Sequence, residues 1–426
     1  MEYKIYKLGT CFSLIENGAI IKQRKEAKGF PITRIETLSH GKFNRDKLGH
    51  ADIFDTTPYK RYILEDKDLI MSHINSRAFL GRTVLYRKKG NEQIIHGMNV
   101  LRIKTNEQFL DPVFASYLFK TSHFKKAIDS IRKDAINQSS INIFDICNIQ
   151  ISLPSITEQR KISHALQLID KKIETNHLIN DNLEAMARQL YDYWFVQFDF
   201  PNEEGKPYKS SGGAMVWNKK LKREIPQGWT AAKIKDVAQT YSGGTPTSTN
   251  SEYYDGGDIP WINSGELNNP IITSTTNYIT EEGLNNSSAK LYPQDTVLVA
   301  LYGATAGKVS LLSLEACSNQ AVCGVIPQNK IMTTYIRYYL SSLYEHFITL
   351  SSGSARDNIS QDTIKNTILP IPQGKILKEF SDAVAPIISK IIANQKEMEN
   401  LTKQRDELLP LLMNGQASVN YHLSDN

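Results

Sequence analysis

The stretch with the most recognisable chemistry is Gly303-Ala-Thr-Ala-Gly307-Lys308-Val309, which has the glycines and lysine of a phosphate-cradling loop. It is one residue short between its glycines. It also carries Val309 where a serine or threonine must meet magnesium. No Gly-x-Gly-x-x-Gly follows a strand-like run, and no His-Glu-x-x-His occurs. The nine histidines are dispersed, and the four cysteines (Cys11, Cys147, Cys317, Cys323) form no Cys-x-x-Cys. Neither a metal site nor a disulfide framework is expected. The residue types that remain are those of binding: cationic side chains for phosphate, and forked or amide side chains for base edges.

The cations are unevenly spread. Residues 1–155 hold 25 Lys and Arg against 16 Asp and Glu, whereas residues 229–372 hold 8 against 12. The first region has the balance of a polyanion binder and the second does not. In the first, Lys22, Arg24, Lys25, Lys88 and Lys89 are candidates for phosphate, with Lys125, Lys126, Arg132 and Lys133 as further basic positions. Asn75, Arg77, Asn137 and Gln138 are candidates for bases, since arginine suits guanine and amides suit adenine. In the second, the candidates are Thr245, Ser248, Tyr302, Thr305, Lys308, Arg356 and Asn358. Glycines beside Thr305 would let backbone N–H groups approach phosphate, or else make a tight turn between strands.

The elements that position these residues come in two copies. Ile141–Trp194 superposes on Ile359–Leu412 at a constant offset of 218. Each copy reads as a β-rich run, a closing proline (Pro154, Pro372) and a long heptad helix. The first seam runs Ile162, Leu166, Ile169, Ile173, Asn176, Asn180, Leu183, Ala187, Leu190, Trp194. The second runs Phe380, Val384, Ile387, Ile391, Asn394, Met398, Leu401, Arg405, Leu408, Leu412. Ser155 and Glu158 suit a capping box and Asn414-Gly415 a stop. At ~1.5 Å per residue each helix spans ~50–60 Å. One-sided seams need partners, so the two helices are expected to pair antiparallel. Ile169, Ile173, Leu183, Ile387, Ile391 and Leu401 are pairing positions, and Asn176 should lie near Asn394 to set the register.

The expected fold is therefore α+β: two mixed α/β domains joined by two long helices in an antiparallel coiled coil, with a pseudo-twofold repeat. The divisions are 1–155, a first domain; 156–200, a helix; 201–228, a Gly/Pro/Ser-rich linker; 229–372, a second domain; and 373–426, a second helix and tail. With 426 residues, 40% hydrophobic and 22% charged, wholesale disorder is excluded. No apolar run reaches the ~20 residues of a membrane span, and the amino terminus has no signal-peptide core, so a cytoplasmic location is expected.

This ordered set of motifs resembles the DNA-specificity subunits of type I restriction-modification systems. The likeness rests on Ile149–Pro154 with Glu158-Gln-Arg160, Tyr193–Asp199, Ile225-Pro-Gln-Gly-Trp229, Ser242–Pro246 with Gly257–Trp261, and Gly303–Lys308. The first domain departs more, with Gly18-Ala-Ile-Ile and Asn75–Gly81 at the corresponding places. The resemblance implies two target-recognition domains, each reading half of a bipartite, asymmetric site on double-stranded DNA. It implies docking of two methyltransferase subunits and of restriction translocase-nuclease subunits, and no membrane. It implies no catalysis or cofactor on this chain, with S-adenosylmethionine, ATP and magnesium on the partners. The rival readings are a nucleotide-processing enzyme built on loop 303–308 and a purely structural coiled-coil adaptor.

Overall fold

The computed structural model describes residues 2–24, 26–135, 138–351 and 358–419. The chain forms two compact units. One comprises residues 1–172 with 400–426, and the other residues 173–399. Two long helices, α1 (Ile156–Tyr191) and α3 (Gly374–Met413), each contribute to both units.

The first unit is built on a four-stranded sheet. Its strands β1 (Phe12–Asn17), β2 (Leu69–Met71), β3 (Thr83–Leu85) and β4 (Leu101–Thr105) lie in the order β1-β4-β2-β3. The second unit repeats that order with β5 (Ala238–Ser242), β7 (Val297–Ala300), β8 (Val309–Leu312) and β9 (Val322–Pro327), and adds β6 (Ile271–Ile272) at the edge. A separate two-stranded ladder closes each unit. Lys4–Lys7 pairs antiparallel with Gln150–Leu153, and Thr230–Lys233 with Ile368–Ile371. In each copy the second strand of the ladder leads through the proline into a long helix. A Ser155 hydroxyl accepts from the Glu158 amide at 3.3 Å as α1 begins. Gly415, at φ +72°, ends α3 in the left-handed region.

Within each unit the helices run antiparallel. In the first, Ile162 and Leu166 share a core with Leu412 and Met413, and Asp170 accepts from Arg405 at 2.8 Å. Tyr117 donates to the same carboxylate at 2.5 Å. In the second, Ala187, Tyr191 and Trp194 pack with Phe380, Val384, Ile388 and Ile391. Asn176 and Asn394 are both 2% exposed. They do not bond to each other: Asn394 donates to Asn180 Oδ1 at 2.9 Å, and Asn176 donates to Glu397 at 2.8 Å. Asn180 lies one turn, ~6 Å of rise, from Asn176, so both asparagines occupy the same stretch of the pairing.

Two seam positions differ from the heptad reading. Leu408 is 37% exposed while Leu409 packs inward. Ile388 is buried more completely than Ile387, which packs at the margin of the core. The remaining pairing positions Ile169, Ile173, Leu183, Ile391 and Leu401 are buried or half-buried. After Tyr191 the chain makes a π turn over Asp192–Val196, which shifts Trp194 relative to an ideal seam.

Residues 201–228 are not a slack connection. They carry a β-hairpin, Met215–Asn218 with Arg223–Pro226. Phe200 stacks on Tyr208 and Trp229, at ring separations of 4.7 and 5.4 Å. The composition is that of a loop, but its aromatic residues bind the segment to the core of the second unit.

A buried Arg102 (2% exposed) donates to Asp68 at 2.7 Å and to the Arg61 carbonyl at 2.9 Å beneath the first sheet. His96 is fully buried, and neither ring nitrogen has a hydrogen-bond partner among the described residues. Burial pushes its imidazole down from 6.5 to about 3.

Two outcomes follow. Asn394→Leu leaves the half-buried side-chain oxygen of Asn180 without its donor, although the Asn180 amide still donates to the Ile391 carbonyl, and should cost about 1–3 kcal/mol in urea unfolding. Adding Asn180→Leu should recover most of that loss. For His96 the unfolded chain takes up a proton below about pH 6.5 that the folded chain refuses until about pH 3. Its stabilising neutral form is therefore favoured above that window, and stability falls as the pH drops through it. Between pH 6.5 and 5 the loss should approach about 2 kcal/mol, and His96→Leu should remove that slope.

Candidate nucleic-acid interface

The first unit gathers several of its base-reading candidates on one small sheet. Ile74–Asn75 pairs with Ser139–Ser140, which pairs with Lys133–Asp134. Asn75 lies opposite Ser139, next to the exposed Gln138. The Asn75 amide donates to Ser72 at 3.1 Å and its oxygen accepts from the Ser76 backbone at 2.8 Å, so the side chain is held in one orientation. Arg77 opens the adjacent 3-10 turn, 3.8 Å from Asp129, with its side chain 69% exposed. Arg132 bridges Asp129 and Asp134, at 2.6 Å to each. Its hydrogen bond to Asp134 is the main reason that this carboxyl sits at about 2.

The sequence reading overlooked Arg82, whose guanidinium stacks 4.3 Å over the half-exposed Phe79 ring. Lys22 and Arg24 are exposed on the loop after β1, where Arg24 forms an ion pair with Asp52. Lys88 and Lys89 are exposed on a turn whose amides donate to Asp66 at 3.0 Å and Glu92 at 2.8 Å. Lys125 and Lys126 lie exposed on the helix Ser122–Ser130. Lys25 and Asn137 lie outside the described residues.

In the second unit a residue absent from the sequence reading joins the candidates. Gln320 accepts a hydrogen bond from the Thr245 hydroxyl and also bonds the Tyr302 hydroxyl. The Tyr302 backbone bridges Asn358, and the Ile359 amide donates to Leu301 at 2.7 Å. Thr245 and Tyr302, far apart in sequence, thus meet at one exposed amide, and the backbone of Asn358 is bridged to that of Tyr302. The available signal was the polar run Ser318-Asn-Gln before the apolar β9. Ser248 is exposed on the loop that follows Thr245. Arg356 lies outside the described residues.

The loop 303–308 is a tight connection between β7 and β8. Ala306 donates to Gly303, Gly307 to Ala300 and Lys308 to Thr305, at 3.1, 2.9 and 2.9 Å. Thr305 is 5% exposed. The expectation that these amides approach phosphate is corrected, because three are spent within the turn. The expectation for Thr305 falls too, since its side chain is buried. Lys308 opens instead on a cleft of about 700 Å³, shared with Asp181, Glu184 and Arg188 of α1. Arg337, on the buried helix α2 (Thr333–Ser342), closes that cleft and donates to Glu184 at 2.8 Å.

Each unit therefore presents polar loop side chains above the same strand order, joined in the first unit by exposed cations. Among the described residues no group of three or more His, Cys, Asp or Glu could hold a metal ion. Nor is any helix among them long and apolar enough to cross a membrane.

Comparison with known proteins accords with this arrangement. The chain is 25% identical over 475 aligned residues to the HindI specificity subunit of Haemophilus influenzae, covering 97% of this chain and 99% of the relative. It is 28% identical to the MjaIX specificity subunit of Methanocaldococcus jannaschii, over 71% of this chain and 68% of that protein. The crystal structure of the type I restriction-modification S subunit from M. genitalium matches its fold with a TM-score of 0.56 at 15% identity, covering 96% of each chain. The type I restriction modification DNA specificity domain matches residues 1–185 and again 226–403, the two halves of the repeat. With both halves of its duplicated architecture matched in this way, the chain belongs to the family of type I restriction-modification DNA-specificity subunits.

Proposed function

We propose that this chain reads a bipartite, asymmetric site on double-stranded DNA, one half-site per recognition domain. It also scaffolds two methyltransferase subunits and the restriction translocase-nuclease subunits in the cytoplasm. The observation that carries this reading is the repeated sheet whose strand order is shared while its loop chemistry is not. One scaffold used twice with different exposed side chains fits two readers of unlike sequence. S-adenosylmethionine, ATP and magnesium would be held by the partners, and this chain would supply address rather than chemistry. Base flipping by the methyltransferase would then act at the site that this chain selects.

The charge balance shapes the binding. With 8 cationic residues against 12 acidic ones in 229–372, the second domain can neutralise few phosphates. Counterion release falls to the first domain and to the partner subunits. The isolated chain should bind duplex DNA weakly and with little sequence preference. Specific binding by the chain alone at ~10⁻⁸ M or tighter would contradict this.

The decisive experiment is selection from a randomised duplex library with the chain assembled on its methyltransferase partner. The expected product is two short motifs separated by an unread gap of constant length. Removing one heptad from each of α1 and α3 should shorten the gap and leave both motifs intact. A single contiguous motif would mean that only one domain reads DNA. Replacing Gln320 by Ala should relax selection in one motif alone, with specific affinity falling about tenfold, the scale of one good base contact.

A further inference from the structure

The loops that leave the first strand of each sheet are built alike and end in unlike chemistry. Gly18 follows β1 and Gly243 follows β5. A Cβ on either would meet backbone, 2.4 Å from Gly97 in one case and 2.2 Å from the Ser318 oxygen in the other. The next residue makes the same bond in both: Ala19 donates to the His96 carbonyl and Gly244 to the Ser318 carbonyl, each at 2.8 Å. One residue further stand Ile20 and Thr245. Thr245 is hydrogen-bonded to Gln320, whereas Ile20 is 85% exposed and has no polar atom to offer.

A second exposed apolar side chain rises from the same rim. Phe54 is 71% exposed. Its neighbour Ile53 and Ile20's neighbour Ile21 both pack on one small core of Ala19, Ile32 and Ile95. Backbone bonds from Arg24 to His50, Phe30 to Ile53 and Asp52 to Lys28 tie the two segments together. Gly29, at φ +89° with the Ile53 oxygen 2.1 Å from where a Cβ would stand, allows the close approach. Around this ridge Lys22 and Lys28 are exposed and no ion pair joins them to a described residue, whereas Lys60 faces the exposed Asp55 beside Phe54.

We propose that Ile20 and Phe54 form an apolar reading ridge that packs against the 5-methyl group of thymine in the major groove of the first half-site. The inference deepens the DNA-reading assignment above and rests on it. The free lysines favour a polyanion as occupant over an apolar protein surface. On a duplex, the thymine methyl is the apolar group that a base edge displays in the major groove. The equivalent loop of the second domain presents a hydroxyl and an amide, which suits hydrogen-bonded bases instead. The two half-sites thus differ in kind as well as in sequence.

The test uses the full chain with its methyltransferase partner and the selected duplex, replacing each thymine in turn by deoxyuridine. Loss of one methyl contact at the ridge should weaken wild-type binding about fourfold, the factor for exposing one buried CH₂-sized group. The Ile20→Ala/Phe54→Ala variant should bind the thymine duplex more weakly, bind thymine and deoxyuridine equally, and keep the second motif unchanged. Both side chains are exposed, so folding should be unaffected, which circular dichroism and retained partner assembly would confirm. The proposal is overturned if no thymine responds to replacement, or if the double variant keeps the thymine preference. It is also overturned if the variant loses the methyltransferase rather than DNA affinity. A rise in 2-aminopurine fluorescence at the contacted step would replace groove packing by insertion between bases. If wild type selects no site at all, the DNA-reading assignment itself falls.

Discussion

The antiparallel pairing of α1 with α3 is the constraint on which the rest of the structure depends. Helices of 36 and 40 residues with one-sided apolar seams would each leave that seam in water if they stood apart. The seam would tolerate slips by a heptad if it were apolar throughout. The Asn394–Asn180 and Asn176–Glu397 bonds prevent this, because a slip would bury amide groups against isoleucine and methionine with nothing to receive them. Polar pairing at the middle is thus less a source of stability than a choice of one register among several. Towards either end the choice is reinforced differently. In the first unit Asp170 is shared between Arg405 and Tyr117, and in the second an aromatic cluster gathers Tyr191, Trp194, Phe195 and Phe380.

The duplicated sheets show which features of a recognition domain follow from folding and which are open to change. Strand order, the ladder that leads into each helix, and the glycine jammed against backbone after the first strand occur in both copies. Each is imposed by packing or by the lack of room for a Cβ. The side chains two residues beyond that glycine touch no core, and there the copies diverge from Ile20 to Thr245. A scaffold whose stability resides in its strands and helices can alter its exposed loop residues at little cost, since such substitutions lie within about 0.5 kcal/mol of neutral.

The repeat, the strand-proline-helix units and the helical seams were legible in the sequence because each is a local periodicity. Hydrophobic spacing of four and three identifies a seam without knowledge of the partner. What escaped was non-local. Gln320 becomes part of a site only because Thr245, 75 positions away, bonds to it. The buried position of Thr305 follows from the hairpin geometry around it, which the glycine spacing left open between turn and phosphate loop. Residues 201–228 read as a linker from their Gly, Pro and Ser. They fold because Phe200, Tyr208 and Trp229 find one another, a fact that composition does not carry. At Leu408 and Leu409 the heptad rule picked the wrong member of a pair, since α3 near its end packs on the first unit as well as on α1.

The electrostatics of the first domain also look different once partners are counted. Much of its positive charge is committed within the fold: Arg45 to Glu92, Arg61 to Glu16, Arg102 to Asp68 and Arg132 to Asp134. The Arg45 hydrogen bonds are the main reason that the Glu92 carboxyl is held at about 2. Such arginines shape loops and hold strands, and bringing phosphate to them would mean displacing a carboxylate already in place. The cations that remain free for a polyanion are largely exposed lysines, among them Lys22, Lys28, Lys88 and Lys89. A lysine on a flexible stem meets phosphate as a point charge and reads no sequence. Under the proposed reading, affinity and specificity are separated in this domain: the lysines would supply attraction along the backbone, and Asn75 with the exposed Ile20–Phe54 ridge would carry the discrimination between bases.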